Sequence, residues 1–241
     1  MKYVSLHHHS TFSYQDGYGP VKDHVQRVAE IGMDAMALTE HGNVTSHVSL
    51  EKEARDAGIK PIFGLEAYCA PENMRDTANR RKWHLTLLAE TQEGYRNLMR
   101  LVSKSWKDGF YQWPTIHGSW LREYGEGIIA LSGCLDSKLA CDLLGGKGRE
   151  FGREEDAIRT IHSFKRIFGD RFYLEVQQFP ELKRAHQVNE WYEQASKRFG
   201  VPLVATSDCH YPLPDDNKMQ VVLHAAGRGI GNVDTAESQW E

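Results

Sequence analysis

The chain has 241 residues, of which 40% are hydrophobic and 26% are charged, and its formal net charge is −4. This composition is ordinary for a globular protein, and the length fits one barrel-sized α/β domain or two small domains around a large core. The net charge excludes a generally basic surface for nucleic acid, although bound divalent ions would add positive charge inside a site.

A repeated order of amphipathic helix, glycine and short apolar strand runs along the chain. Seven strands alternate with about seven helices, and a glycine directly precedes four of the strands, as expected for a residue that ends a helix. This alternation predicts a parallel sheet, either closed or doubly wound. The predicted strands are residues 3–6, 33–39, 59–65, 85–89, 128–131, 172–176 and 201–206.

The pattern of strands and helices fades after Tyr211. We therefore predict one domain over residues 1–211 and a C-terminal extension or stub over residues 212–241. The polar stretches 71–82 and 145–155 are predicted to be loops.

Cysteine spacing and hydropathy favour a cytoplasmic protein. No apolar run reaches 18 residues, so neither a membrane span nor a membrane partner is expected. The N-terminal letters MKYVSLHHHS lack the apolar core of a secretory signal. The four cysteines form no CxxC pair, and we expect reduced thiols.

Two histidines separated by one residue stand on the first predicted strand. Side chains alternate along a strand, so His7 and His9 point the same way, as a pair of ligands to one metal ion would, and His8 points away. Asp208 and His210 repeat this spacing after the last strand.

Five further potential ligands complete a set of nine. Most of them follow a predicted strand, whereas His84 precedes its strand, which therefore either runs in a different direction or begins earlier. Nine ligands are too many for one zinc ion, which takes four, and they suit a cluster of two or three ions such as those that break phosphate esters. The five are Asp16, His41, Glu66, His84 and Cys134.

Taken singly, each of these residues has an ordinary explanation. Cys134 alone would be a small buried hydrophobic residue, and Asp208 alone could cap a loop. Their combined occurrence at strand ends predicts metal binding. Six other histidines have no support from any motif: His24, His47, His117, His162, His186 and His224.

Seven stretches, in order, resemble the PHP (polymerase and histidinol phosphatase) domain, and most closely the N-terminal PHP domain of bacterial or phage-encoded DNA polymerase III alpha subunits. The resemblance implies an α/β fold, a distorted seven-stranded (β/α)7 barrel of the TIM type. The stretches are LHHHSTFSYQDG (6–17), ALTEHGN (37–43), IKPIFGLEAY (59–68), HLTLLAETQEGYRNL (84–98), IIALSGCL (128–135), FYLEVQ (172–177) and VPLVATSDCHY (201–211).

The resemblance also implies three divalent metal ions. One ion would be held by His7, His9, Glu66 and Asp208. A second would be held by Asp16, His41 and His210, and a third by Glu66, His84 and Cys134. Imidazole, carboxylate and thiolate ligands favour Zn²⁺ or Mn²⁺, with Fe²⁺ as a further option. Glu40, where the family more usually has Asp, and Glu175 are expected to support the ligands without binding metal.

The activity that the resemblance implies is metal-dependent cleavage of DNA phosphodiester bonds by activated water, as a 3′→5′ proofreading exonuclease on single-stranded DNA. The nine ligands would carry it. Two alternatives remain: a catalytically silent, metal-stabilised module of a replicative polymerase, and a phosphomonoesterase of the histidinol phosphatase type. Polymerase activity is not expected, because the catalytic parts of that family lie downstream. The rest of such a polymerase chain, or other replisome proteins, would be partners.

Basic and aromatic residues near the site are candidates for contacts with single-stranded DNA. The first group lies around the polar loop and consists of Arg80, Arg81, Lys82 and Trp83. A second group contains Lys104, Lys107, Phe110, Tyr111 and Trp113. An equally simple interpretation is that both groups are a solvated loop and ordinary core aromatics.

Overall fold

The computed structural model describes residues 3–70, 82–146 and 151–227. Within these ranges strands and helices alternate for much of the chain. The strands are β1 Ala35–Leu38, β2 Lys60–Ala70, β3 Trp83–Ala89, β4 Phe110–Tyr111, β5 Trp113–His117, β6 Ile128–Leu131, β7 Phe172–Gln177 and β8 Leu203–Thr206. The helices are α1 Val21–Glu30, α2 His47–Ala57, α3 Gln92–Lys107, α4 Gly118–Tyr124, α5 Lys138–Leu144, α6 Glu154–Phe168, α7 Lys183–Phe199 and α8 Asn217–Gly227.

The strands form a curled sheet in the order β4-β5-β2-β3-β6-β7-β8, with β1 also paired to β2. The N-terminal segment, residues 3–10, joins the two edges of the ring. Ser5 bridges to Met36 of β1, and His8 bridges to Cys209 just after β8. These bridges complete a distorted seven-membered barrel of the TIM type.

Two features of the sheet correct the expectation from sequence. Strand β3 is antiparallel to both of its neighbours, β2 and β6, so the sheet is mixed and not wholly parallel. The predicted strand at residues 3–6 is reduced to isolated bridges. Strands β4 and β5 were not predicted; their aromatic residues are half exposed and give no clear alternation.

Strand β3 begins earlier than predicted, at Trp83, and also runs in a different direction, so His84 lies at its N-terminal end. The C-terminal ends of β1, β6, β7 and β8 lie at one edge of the barrel, which we call the rim. Because β3 runs the other way, its N-terminal end reaches the same rim. His84 also bridges to Ser137 in the loop after β6.

Apolar side chains on the helices cover the barrel. The largest core cluster joins β2, β3, β6 and β7 to helices α3–α7 through side chains such as Leu87, Leu98 and Tyr192. A second cluster packs α1 and α2 onto β1. Gly58 and Gly200 end α2 and α7 with φ of 71° and 62°, the left-handed conformation that glycine adopts freely. The sequence prediction for these helix ends is confirmed.

All four cysteines lie in the described ranges and are free thiols. In that same part of the chain, none of the helices has the length and hydropathy needed to cross a lipid bilayer.

His47 is a buried histidine that is not among the predicted ligands, and its protonation is expected to affect stability. His47 is 2% exposed, its Nε2 lies 2.9 Å from the carbonyl oxygen of Gly64, and burial lowers its pKa to about 4. Between pH 6.5 and 4 the unfolded chain binds a proton that the folded chain resists, so acidification reduces stability.

In His47→Gln the amide keeps the donor but cannot titrate. The wild type should lose about 1–2 kcal/mol more than this variant between pH 7 and pH 5, measured by urea unfolding with metal removed. His186→Gln, at an exposed position, is the control. Equal losses in the wild type and His47→Gln would contradict the prediction.

Candidate metal centre

The nine residues predicted as ligands converge at the rim, although they lie far apart in the sequence. The N-terminal segment and the loop after it carry three. The loop after β1, strand β2 and strand β3 carry one each, and the loops after β6 and β8 carry three. Seven of the nine line one cavity of about 600 Å³. In chain order the nine are His7, His9, Asp16, His41, Glu66, His84, Cys134, Asp208 and His210.

Glu66 lies at the centre of this group and is 1% exposed. Its Oε1 is 3.1 Å from His7 Nε2 and 3.0 Å from His84 Nδ1. Its Oε2 is 2.5 Å from His41 Nδ1 and 3.8 Å from His9 Nε2. Burial alone would raise the pKa of Glu66, but His84, His41 and His7 outweigh it and hold the pKa well below its usual value. The carboxylate is therefore ionised and faces four imidazoles.

Asp208 supplies a second carboxylate to the two N-terminal histidines. Its Oδ1 lies 3.3 Å from His7 Nε2 and 3.4 Å from His9 Nε2. The residue has a φ of 48°, a left-handed conformation that aspartate tolerates better than most residues. This turn directs Asp208 back towards the histidines on the N-terminal segment.

Asp16 forms a separate corner of the site. Its Oδ2 lies 2.6 Å from His41 Nε2 and 3.4 Å from His210 Nε2. Burial opposes ionisation of Asp16, but hydrogen bonds from His210, His224 and His41 keep its pKa far below the usual value. His41 thus joins Asp16 to Glu66 through its two ring nitrogens.

Cys134 approaches the opposite side of the centre. Its Sγ lies 3.4 Å from His84 Nδ1. Burial raises the pKa of this thiol well above its usual value, and the carboxylates of Glu66 and Asp208 raise it further. A thiolate at Cys134 therefore requires a positive charge beside it, which a bound cation would supply.

Glu175, on β7, orients His7 from outside the cluster. Its Oε1 lies 2.6 Å from His7 Nδ1 and accepts from the Thr206 hydroxyl at 2.6 Å. Its Oε2 accepts from Thr86 Oγ1 and from the Gly133 amide. Since Glu175 accepts the Nδ1 proton, His7 would offer its Nε2 to a bound cation. Burial lowers the pKa of His7, but the carboxylates of Asp208, Glu175 and Glu66 outweigh it and raise the pKa well above its usual value when no cation is present.

Glu40 acts in the same way on His9, through a serine. Ser13 Oγ donates to Glu40 Oε2 at 2.6 Å and lies 2.8 Å from His9 Nδ1. Ser10 also donates to Glu40, through its hydroxyl and its backbone amide. Burial, with His41 and His210 nearby, lowers the pKa of His9 to about 3, so its Nε2 is unprotonated at neutral pH.

The spacing of the potential ligand atoms suits a shared divalent cation better than direct hydrogen bonds between the side chains. Three groups of three side chains each bring potential ligand atoms to within 4.8 Å of one another: His9, His41 and His210; His7, His9 and Glu66; His41, Glu66 and His84. Buried polar atoms of several of these residues and of Asp208 approach at ion-pair distance without hydrogen-bond geometry, an arrangement expected where a shared cation satisfies them. Among the described residues such atoms are His7 Nε2, His9 Nε2, His41 Nδ1, both carboxylate oxygens of Glu66, and Asp208 Oδ1.

A comparison of sequences identifies the family. The profile of the PHP domain matches residues 5–179. The chain belongs to the PHP domain family. Its relatives include DNA polymerase III subunit alpha of Borreliella burgdorferi, 37% identical over 97% of this chain, and of Treponema pallidum, 38% identical over 94% of it. The chain spans about a fifth of the length of these relatives, 20% and 19% respectively.

Solved structures with low sequence identity share the fold of this PHP domain. An amidohydrolase from Chromobacterium violaceum matches with a TM-score of 0.55 and 15% identity, over 87% of this chain and 88% of its own. A protein assigned as a metal-dependent phosphoesterase from Bifidobacterium adolescentis matches with a TM-score of 0.52 and 13% identity, over 86% and 87%. The predicted barrel fold is confirmed.

Other predicted residues of the PHP domain have mixed outcomes. His8 points away from the cluster, as expected, and its Nε2 lies 2.7 Å from His24 Nδ1. Arg80 and Arg81 lie outside the described residues, and Lys82 is half-buried. Trp83 is 6% exposed and the Lys138 ammonium lies over its ring, so the expected base stacking on Trp83 is wrong.

One residue of the site, His224, was not predicted from the sequence. His224, on α8, contacts Asp16 through its Nε2 and lines the same cavity, as does Gln220 one helical turn earlier. The only signal in the sequence was this spacing of four residues, which places two polar side chains on one helix face. The surrounding stretch has no motif that would have singled it out.

The Glu175 contact predicts an effect on metal affinity. In Glu175→Gln, one acceptor becomes an NH₂ group that must face either His7 or the Thr86 and Gly133 donors. Metal affinity should fall about 10–100-fold, as for other supporting carboxylates, while the fold is retained. A competition titration against a chromophoric chelator measures the change. The control is Glu190→Gln on the exposed side of α7, and equal affinities in the two variants would rule out the orienting role.

Proposed function

We propose that this PHP domain is a metal-dependent phosphodiesterase that removes nucleotides from the 3′ end of single-stranded DNA. The observation that carries the proposal is the buried Glu66 carboxylate, which approaches four imidazoles at the rim. Both of its oxygens lack a partner in hydrogen-bond geometry, as do His7 Nε2, His9 Nε2 and His41 Nδ1. The nine ligand-competent side chains support hydrolysis, since a purely structural metal site is usually complete with four ligands.

The proposed ligand sets follow the three corners of the site. His7, His9 and Asp208 would share one ion with Glu66, whose bridging position suits a multinuclear centre. Asp16, His41 and His210 would hold a second. His84 and Cys134, again with Glu66, would hold a third. The mixture of nitrogen, oxygen and sulfur donors suits Zn²⁺, Mn²⁺ or Fe²⁺ better than Mg²⁺.

Divalent ions held there would neutralise the anionic oxygens of a phosphodiester and acidify water at neutral pH. The chain itself holds and orients the ligands: Glu175 keeps the proton of His7 on Nδ1, and Ser13 with Glu40 does the same for His9. Phe179 and Tyr211, which are not proposed ligands, also line the cavity of about 600 Å³ and would contact the terminal nucleotide.

An aromatic surface leads from the cavity to solvent. Tyr68 lies between them, with its ring 5.3 Å from that of His84 and 5.3 Å from that of Trp113. Trp113 is 51% exposed, and the stacked pair Trp106 and Phe110 is exposed to a similar extent. Exposed aromatic faces beside the lysines of α3 suit stacking and phosphate contact along a single strand.

The relatives support a setting in replication. Since the chain resembles about a fifth of DNA polymerase III subunit alpha, we infer that it works beside the rest of such a polymerase or other replisome proteins. The same relatives also suit the alternative, a catalytically silent module of a replicative polymerase. In that module the free energy of metal binding would stabilise the fold. A phosphomonoesterase of the histidinol phosphatase type is the third candidate, and the assay below separates the three.

The first test is hydrolysis of 3′-labelled single-stranded DNA, compared with a phosphomonoester, in the presence of Mn²⁺ or Zn²⁺. Release of nucleotides from the 3′ end is expected. His9→Ala should reduce the rate at least about 100-fold, because one of the metal ions would lose a ligand that holds it in place. His186→Ala, at an exposed position, is the matched control. Equal activity in His9→Ala and the wild type would show a contaminating nuclease, and metal binding without hydrolysis would favour the silent module.

The second test concerns the aromatic surface. Trp113→Ala should raise the KM for single-stranded DNA about 10-fold, the equivalent of roughly 1–3 kcal/mol for one stacked base, with little change in kcat. Hydrolysis of a small phosphodiester should not change. Phe151→Ala, which removes a residue that is 75% exposed, is the control. An unchanged KM for DNA would show that the strand takes another path.

A further inference from the structure

Helix α8 lies beyond residues 5–179, which the family profile matches, yet it reaches the metal centre. Gln220 and His224 are one turn apart on this helix and both line the cavity. This stretch lies in the predicted C-terminal extension, residues 212–241. Its contacts associate it with the loop that carries Asp16.

His224 holds the outer oxygen of Asp16. Its Nε2 contacts Asp16 Oδ1, across a separation of 208 residues in the sequence. The other oxygen, Oδ2, faces His41 at 2.6 Å and His210 at 3.4 Å. The carboxylate therefore has one oxygen fixed by α8 and one directed into the centre.

The loop that presents Asp16 is constrained by its backbone and by α8. Gln15 has a φ of 63°, and a Cβ on Gly17 would lie 2.1 Å from the carbonyl oxygen of Ser10, so neither position has much freedom. A Cβ on Gly227, at the end of α8, would lie 3.0 Å from the Gln15 Cβ. The helix thus touches the loop at two adjacent points, Gln15 and Asp16.

We propose that His224 is a positioning residue for Asp16: it donates its Nε2 proton to Oδ1 and so presents Oδ2, together with His41 and His210, to a divalent cation. This inference rests on the proposed role of Asp16 as a ligand. Helix α8 would then support a ligand of the metal centre, as Glu175 supports His7 and Glu40 supports His9.

The test is a metal titration of the full chain with Zn²⁺ and, separately, Mn²⁺, read by chelator competition and elemental analysis. In His224→Ala, the affinity for one equivalent of metal should fall about 10–100-fold, while the remaining equivalents bind as in the wild type. His224→Gln retains an N–H donor and should recover most of the loss. Val222→Ala, at a position of α8 that is 43% exposed, controls for damage to the helix.

Two results would overturn the inference. One is a His224→Ala variant that binds every equivalent as tightly as the wild type. The other is a His224→Gln variant as weak as His224→Ala, which would indicate direct ligation or simple packing. Asp16→Ala separates this failure from that of the proposed function: wild-type affinity in Asp16→Ala would remove the ligand role itself. A domain that binds metal as expected but does not cut DNA would leave the positioning role of His224 intact.

Discussion

A carboxylate removed from water needs compensating polar partners close to it, and Glu66 meets this need with four imidazoles from three different parts of the chain. The N-terminal segment, the end of β1 and the start of β3 each contribute at least one histidine within 4 Å of its oxygens. No short stretch of sequence could surround one group in this way. The barrel brings the four together because its strand ends meet at one rim, and the charge at Glu66 in turn restrains how those ends are arranged.

A second layer of acceptors determines what the imidazoles can do. An imidazole that donates on one side and offers a lone pair on the other must have a fixed tautomer. Glu175 fixes it for His7 directly, and Glu40 fixes it for His9 through Ser13. Both carboxylates are buried and accept several other hydrogen bonds, so they cannot turn away from this role. The site therefore alternates acceptor, imidazole and inner carboxylate, and both imidazoles direct Nε2 inwards.

Much of this arrangement could be predicted from sequence because strand periodicity is local. The spacing of His7 and His9 gave their common direction and the opposite direction of His8, and glycines gave the ends of α2 and α7. The direction of β3 could not be predicted, because it depends on pairing with β2 and β6 rather than on the residues of β3 itself. His224 was missed for a similar reason: its partner, Asp16, is 208 residues away, and only the packing of α8 brings them together.

The reversal of β3 has consequences on both sides of the rim. In an all-parallel barrel each ligand would follow its strand, whereas here His84 enters from the start of β3 and meets Cys134 from the opposite direction. The antiparallel pair also lets β2 continue past Glu66 as far as Ala70, where it gains β5 as a further neighbour. Tyr68, on that extension, then joins the rings of His84 and Trp113. One change of strand direction therefore brings His84 and Cys134 to the candidate metal centre and also forms the aromatic surface beside it.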